Sequence, residues 1–345
     1  MNSLLRVALG LLVGLGLIAA FSAVKINAFL DTPLTIEGEQ LILDVRPGTS
    51  FAALSQGLYE RGALKHPNWF RWYGRLTGKA SRVKAGEYQI SAGTTIREFL
   101  DELLKGQVYL HSLTIIEGWK FVDLLAALRD HPAVEHTLQN ENWQTIANAL
   151  GATEGHPEGL FLPETYRFPK GTSDMELLRQ AYRQLHEVLA TEWAARSAPA
   201  VLQDPYQAII LASIIEKETA RADERARISG VFTRRLQKGM RLQTDPTVIY
   251  GIGPDFDGNL TRRDLRNDTP YNTYRRAGLP PTPIALAGRA AIHAALNPAD
   301  GAELFFVATG LGDGSHQFSV TQEEHEKAVK DYLQRLRNRQ TTAQP

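Results

Sequence analysis

A carboxyl set into an apolar helix is the feature of this chain most able to do chemistry. Glu218 belongs to the run Ala208-Ile209-Ile210-Leu211-Ala212-Ser213-Ile214-Ile215-Glu216-Lys217-Glu218-Thr219-Ala220, which reads as a helix too apolar to face water. Leu211, Ile214 and Ile215 precede it by seven, four and three positions, so helical periodicity puts its carboxyl on their stripe. Burial disfavours the charged form and lifts a Glu pKa from about 4.3 toward roughly 6, as in glycosidase general acids. Such a group can donate a proton near neutral pH. Glu216 has Ala212, Ser213 and Ala220 as same-face neighbours and Lys217 beside it, so it is expected at the surface. A plainer reading of Glu218 stands alongside: Arg221 is within helical reach, and a partly buried Glu-Arg pair is an ordinary structural device.

Three loops dense in hydrogen-bonding groups follow that helix. Gln243-Thr244-Asp245-Pro246-Thr247 precedes the short apolar run Val248-Ile249-Tyr250. Tyr271-Asn272-Thr273-Tyr274 offers two phenols, an amide and a hydroxyl. Gly278-Leu279-Pro280-Pro281-Thr282-Pro283 makes a stiff wall, because proline restricts itself and its predecessor. Sugars suit such surfaces, amides and hydroxyls meeting their polar edges and aromatic rings their C–H faces. Asp245 and Asn272 could each instead simply close a turn.

Other chemistries find little support. The nine histidines are scattered without the i, i+4 pair of a zinc helix, and the chain has no cysteine, which removes disulfides, thiolate catalysis and Cys-ligated metals. No metal or other cofactor is expected. The glycine-rich turn from Gly310 to Gly314, ahead of His316 and Phe318, lacks the helix a phosphate cradle requires. Ser213 has no Gly-x-Ser-x-Gly frame. Lys plus Arg equals Asp plus Glu at 38 each, a balance that gives no electrostatic footprint for nucleic acid.

The elements that must position these groups read as α+β. At 345 residues, 43% of them hydrophobic, the chain is long enough for two domains plus appendages. From Val7 to Val24 runs a stretch without charge, bounded by Arg6 and Lys25. It reaches the lower end of a membrane-spanning length and exceeds a typical secretory h-region, which favours an uncleaved single-pass anchor over residues 1–30. Positive charge favours a cytoplasmic N-terminus and an exported body. Gln40 to Val45 reads as a strand, Phe51 to Arg61 and Pro67 to Leu76 as helices, and Gly86 to Ile90 as a returning strand. Thr95 and Glu98 form a capping box that opens a helix to Lys105. This βααβ module occupies residues 31–110. A larger mixed α+β domain over 111–338 begins with a strand at Ser112 to Glu117 and carries helices at Phe121 to Leu128, Met175 to Arg196 and Ile228 to Lys238, with a disordered tail expected over 339–345.

Several of these segments together resemble the endolytic murein transglycosylases, the MltG or YceG-like family. The likeness rests on Ile214 to Thr219, Leu242-Gln243-Thr244-Asp245-Pro246-Thr247-Val248-Ile249-Tyr250-Gly251, Tyr271 to Tyr274, and Gly278-Leu279-Pro280-Pro281. Glu158 to Tyr166 is similar to the family's Glu-Gly-x-x-x-Pro-x-Thr-Tyr segment. The resemblance implies a single-pass inner-membrane protein with a LysM-like module and a catalytic domain in the periplasm. It implies peptidoglycan glycan strands as substrate and cooperation with penicillin-binding synthases. The family's catalytic acid, the second Glu of Glu-Lys-Glu, falls on Glu218, the carboxyl that the helix stripe singles out.

An ordinary glycosidase needs a second carboxylate about 5 to 9.5 Å from the first. Lytic transglycosylases dispense with it, the resemblance then implying a 1,6-anhydro ring closed by the sugar's own hydroxyl. Gln243, Thr244, Asp245, Tyr271, Asn272 and Tyr274 are the candidates for holding the sugars. Two rivals remain at this level: a hydrolytic muramidase pairing Glu218 with Asp245 or Glu164, and a non-catalytic membrane-tethered scaffold that binds peptidoglycan.

Overall fold

The apolar run that opens the chain forms a single helix, α1 (Ser3–Leu30), in a computed structural model that describes residues 3–138, 142–197 and 201–342. At 1.5 Å per residue it is about 42 Å long, enough to cross a hydrocarbon layer of about 30 Å. Its apolar stretch Leu9–Leu30 has a mean hydropathy of 2.2. Most of its side chains project outward, but Phe29 and Leu30 are buried in the core of the unit that follows.

The chain divides into two compact units, Met1–His111 with Arg167–Gly171, and Ser112–Tyr166 with Thr172–Pro345. In the first, β1 (Gln40–Val45) pairs antiparallel with β2 (Gly86–Ser91), Leu43 opposite Tyr88 and Val45 opposite Gly86. Between them lie α2 (Phe51–Glu60), capped by the Ser50 hydroxyl on the Ala53 N–H, and α3 (Pro67–Leu76), which starts on a proline. The capping box of Thr95 and Glu98 opens α4 (Ile96–Lys105), and Gly106 in the left-handed region ends it. Leu43, Leu58, Phe70, Tyr88, Phe99 and Leu103 form the core. Helix α1 therefore enters this core without a linker.

From Leu110 onward the order along the chain is β3 (Leu110–Thr114), α5 (Phe121–Asp130), β4 (Val134–Glu135), α6 (Trp143–Leu150), β5 (Thr165–Pro169), β6 (Thr172–Ser173), α7 (Asp174–Ala195) and α8 (Pro205–Glu218). There follow α9 (Arg225–Gln237), α10 (Asp245–Ile252), α11 (Arg262–Arg266), α12 (Arg289–Leu296), the antiparallel pair β7 (Phe305–Ala308) and β8 (His316–Ser319), and α13 (Gln322–Thr342). The strands are short and paired in twos, so helices carry the core. The centre is α8, whose residues Ala208 to Ile215 are all buried. An apolar face all round is the pattern of a helix covered by neighbours, and α7, α9 and α12 supply them.

Some boundaries depart from the sequence reading. The strand expected at Ser112 to Glu117 lies earlier, at Leu110–Thr114. The apolar run after Asp245 is helical: Pro246 and the acidic Asp245 in the first turn are start signals that also read as a turn. The last helix continues to Thr342, past Asn338, while residues 343–345 of the expected tail lie outside the described residues.

Gly74 on α3 tests how tightly the first unit is packed. A Cβ there would lie 2.4 to 2.9 Å from three atoms of the Phe51 ring, which is itself tilted against Phe70 at 4.6 Å. Alanine gains about 1 kcal/mol of helix propensity over glycine, while overpacking costs about 1–3 kcal/mol. With backbone and ring this close, the clash should win. Gly74→Ala is expected to lower stability by about 1 to 2 kcal/mol in urea unfolding; an unchanged or raised midpoint would show the core to be slack there.

Candidate active site

Glu218 is the last residue of α8, and the chain turns extended at Thr219, whose N–H still bonds the Ile215 carbonyl. The negative end of a helix and an apolar surrounding both oppose a charged carboxylate. Burial is the main cause that holds the Glu218 carboxyl above the ordinary range. The Thr244 hydroxyl, which donates to its Oε1, pulls the other way, Asp245 adds to the rise, and His316 opposes it. The carboxyl opens onto a cavity of about 520 Å³ shared with Gln243, Asp245, Tyr274 and His316.

The loop ahead of α10 carries the second wall. Thr244, Thr247 and Thr273 are buried and bond one another: the Thr244 N–H donates to Thr273 Oγ1 at 3.1 Å, the Thr247 hydroxyl donates to the Thr244 carbonyl at 2.8 Å, and the Thr247 and Thr273 hydroxyls lie 2.9 Å apart. This lattice fixes the hydroxyl that meets Glu218. Gln243 is the one non-glycine residue with positive φ (53°) among the described residues, a conformation that costs energy unless its surroundings enforce it. Here the enforcing partner is Arg235. Its guanidinium is buried, donates to the carbonyls of Leu304, Arg241 and Leu242, and approaches Gln243 Oε1 at 3.4 Å. The Tyr274 hydroxyl donates to Asp245 Oδ1 at 2.6 Å, tying the two loops at the cavity rim.

The third wall comes from β7, β8 and α13, through Phe305, Phe306, His316, His325 and Tyr332. His316 is held by Glu224, which is buried: its backbone N–H donates to Glu224 Oε1 at 2.9 Å and its Nδ1 lies 2.7 Å from Oε2. A carboxylate only accepts, so the imidazole Nδ1–H is the donor in this contact. The Phe306 ring meets the imidazole edge-on at 5.5 Å and completes its seating. Sequence reading missed this pair. Its partners stand 92 residues apart, and a turn followed by a strand advertises no contact with a helix end.

The structure thus brings Glu218, Gln243, Thr244, Asp245 and Tyr274 together and leaves Tyr271 and Asn272 aside. Asn272 is fully buried; its amide donates to the carbonyls of Asp264, Leu265 and Asn267, and its Oδ1 accepts from the Tyr274 N–H at 2.9 Å. It shapes the loop and has nothing left for a ligand. The Tyr271 hydroxyl bonds Thr282 Oγ1 at 2.8 Å and its ring packs on Tyr250. Glu216, expected at the surface, is largely covered: its Oε2 accepts from the Gly288 N–H at 2.9 Å, and Arg225 lies 3.8 Å from its Oε1. Arg221 pairs with Asp223 and Glu224, so the plain Glu218-Arg221 bridge does not form. Glu164 is exposed and accepts from the adjacent Thr165 N–H. Ser213 is consumed between the Ile210 carbonyl and the Ile284 N–H. Glu158, in the Glu158 to Tyr166 segment, is a buried strut that accepts from the Phe121 N–H and the Tyr250 hydroxyl, and burial pushes it up to about 7.

Glu158 and Glu218, both raised by burial, set a pH trend. For each, the stability tied to the neutral form is present below the unfolded pKa and is lost as pH rises through the folded one. For Glu158 that window runs from its ordinary 4.5 to about 7. Glu218 shifts in the same direction. Glu218→Gln keeps an acceptor for Thr244 and removes the charge, so the variant should unfold at higher urea than the wild type at pH 8, with the gap narrowing toward pH 4. Equal midpoints at pH 8 would mean that the carboxylate is well solvated.

The YceG-like family model matches residues 43–331. Among curated proteins the chain is similar to the endolytic murein transglycosylase of Bacillus subtilis (strain 168), 30% identical over 309 residues and covering 84% of each protein. It is also similar to the endolytic murein transglycosylase of Streptococcus pneumoniae serotype 2 (strain D39 / NCTC 7466), 24% identical over 359 residues, covering 93% of this chain and 64% of that protein. Among solved structures, the 2.6 Å crystal structure of a YceG-like protein from Listeria monocytogenes covers 84% of this chain and 99% of its own, at 28% identity and a TM-score of 0.49. With a match that begins in β1 and ends in α13, the chain belongs to the YceG-like family.

Proposed function

We propose that this protein is an endolytic murein transglycosylase that cuts the β-1,4 bond between MurNAc and GlcNAc and leaves a 1,6-anhydro-MurNAc end. The observation that carries the reading is a carboxyl whose pKa burial raises, at the wall of a cavity furnished with hydrogen-bonding loops and aromatic rings. The names of the B. subtilis and S. pneumoniae relatives support it. Glu218 protonates the oxygen leaving the MurNAc anomeric carbon, and that C–O bond breaks. The substrate's N-acetyl group supports the oxocarbenium-like centre. Glu218, now a carboxylate, takes the proton of the C6 hydroxyl as its oxygen bonds C1. No water is consumed. The tethered hydroxyl has an effective concentration that solvent cannot match.

Gln243, Asp245 and Tyr274 line the same cavity and are assigned to the sugars, with Thr244 steering the acid and His316 balancing its charge as the proton leaves and returns. The apolar α1 anchors the protein in the inner membrane with its N-terminus in the cytoplasm. The βααβ module is then LysM-like and periplasmic, and cutting of nascent strands ends their elongation beside penicillin-binding synthases. A hydrolytic muramidase is the second reading, favoured by Asp245, whose carboxylate shares the cavity with Glu218.

Mass analysis of digested uncrosslinked glycan separates the two. Anhydro ends, one water lighter than reducing ends, are expected; reducing MurNAc ends from the wild type would select the muramidase. Glu218→Gln should lower turnover by about 10²- to 10⁴-fold while remaining folded. Normal cleavage by that variant would remove Glu218 from the chemistry. His316 lowers the Glu218 pKa. His316→Ala therefore raises it and should move the alkaline limb of the kcat profile to higher pH as well as reducing kcat. A reduced kcat with an unmoved limb would assign His316 to packing alone.

A further inference from the structure

The sequence from Arg61 to Lys84 carries seven Lys and Arg residues and no Asp or Glu, in a chain whose charges balance as a whole. This segment contains α3, and α3 is two-faced. Phe70 and Gly74 are buried on one side, while Trp69, Trp72 and Leu76 are 44%, 62% and 79% exposed on the other. Those three stand at i, i+3 and i+7, so they form one stripe. Arg71 and Arg75 flank it, also exposed, and with Asn68 and Trp72 they border a shallow cavity of about 290 Å³.

The position of α3 relative to α1 supplies the occupant. The Trp69 ring packs edge-on against Phe29 at 5.6 Å, and Phe29 lies in the last turn of the apolar helix. Lys25, the first charge after the apolar run, lies four residues before Phe29, about 6 Å along the axis. If α1 crosses a bilayer, Lys25 marks the headgroup level and Trp69 must sit within a few ångströms of it. Exposed tryptophans beside arginines suit that layer, rings at the interface and guanidinium groups on phosphate oxygens.

We propose that the exposed face of α3 docks on the anionic headgroups of the bilayer that holds α1, making the βααβ module a membrane-lying platform. The proposal rests on the reading of α1 as an anchor. Trp69, Trp72 and Leu76 enter the interface, Arg71 and Arg75 bind lipid phosphates, and the remaining basic residues of the segment add long-range attraction.

The absence of native cysteine makes the test direct, because single introduced cysteines can carry spin labels on the full chain in lipid nanodiscs. One label at Leu76→Cys reports the face; one at Leu15→Cys reports α1. Collisions with oxygen mark lipid, and collisions with a nickel chelate mark water. In discs containing phosphatidylglycerol the Leu76→Cys label should read as lipid-facing. It should turn aqueous in pure phosphatidylcholine, at high salt, or in an Arg71→Glu/Arg75→Glu background, docking weakening about fivefold for each basic charge removed. An aqueous reading in anionic discs, with Leu15→Cys embedded, overturns the proposal and leaves the anchor standing. An aqueous Leu15→Cys label overturns the anchor reading itself. Shielding of the Leu76→Cys label by soluble glycan oligomers and not by lipid would make the face a glycan site and also overturn the proposal.

Discussion

The whole arrangement turns on a carboxyl at the C-terminal end of a helix that its neighbours bury. Nothing in α8 welcomes charge there: the helix dipole points its negative end at Glu218, and Ile214 and Ile215 exclude water. One hydroxyl, that of Thr244, meets the group. That single hydrogen bond offsets part of what burial costs the charged form. Opposing influences of that kind suit the proposed role of an acid that later acts as a base. The surrounding loops serve that balance. Thr247 and Thr273 hold Thr244, Asn272 holds the turn that delivers Thr273 and Tyr274, and Arg235 holds Gln243 in its left-handed conformation.

Much of this frame is legible in the sequence, for reasons of periodicity. The α8 stripe, the capping boxes at Thr95 and the order of elements in the first unit follow from local patterns, because apolar spacing and cap chemistry act within a few residues. What escapes is set by distant partners. Glu216 looks solvated beside Lys217, yet it is covered because Gly288 and Arg225 arrive from elsewhere in the chain. A loop rich in amides and phenols does not declare which groups its own backbone will consume. Asn272 spends every polar atom on the fold, whereas Tyr274, two residues on, faces the cavity. The Glu224-His316 pair is hidden for the same reason, and Gln243 is a conformational outlier that no propensity scale announces.

Two sorts of raised carboxyl coexist in one unit, and their partners tell them apart. Glu158 is buried with a donor on each oxygen, and it braces α5 against α10. Glu218 has one donor and an open side. Burial alone therefore does not mark an acid for chemistry; vacancy next to burial does.

The cavity walls are drawn from α8, the loop before α10, the β7 and β8 pair and α13, a spread from Glu218 to Tyr332. A chain made from its amino end thus has its acid long before it has a chamber. Until α13 is made, the wall that His325, Val329 and Tyr332 supply is missing. A chain synthesised in this order holds its buried carboxyl without the full cavity beside it until the wall from β7 to α13 has been made.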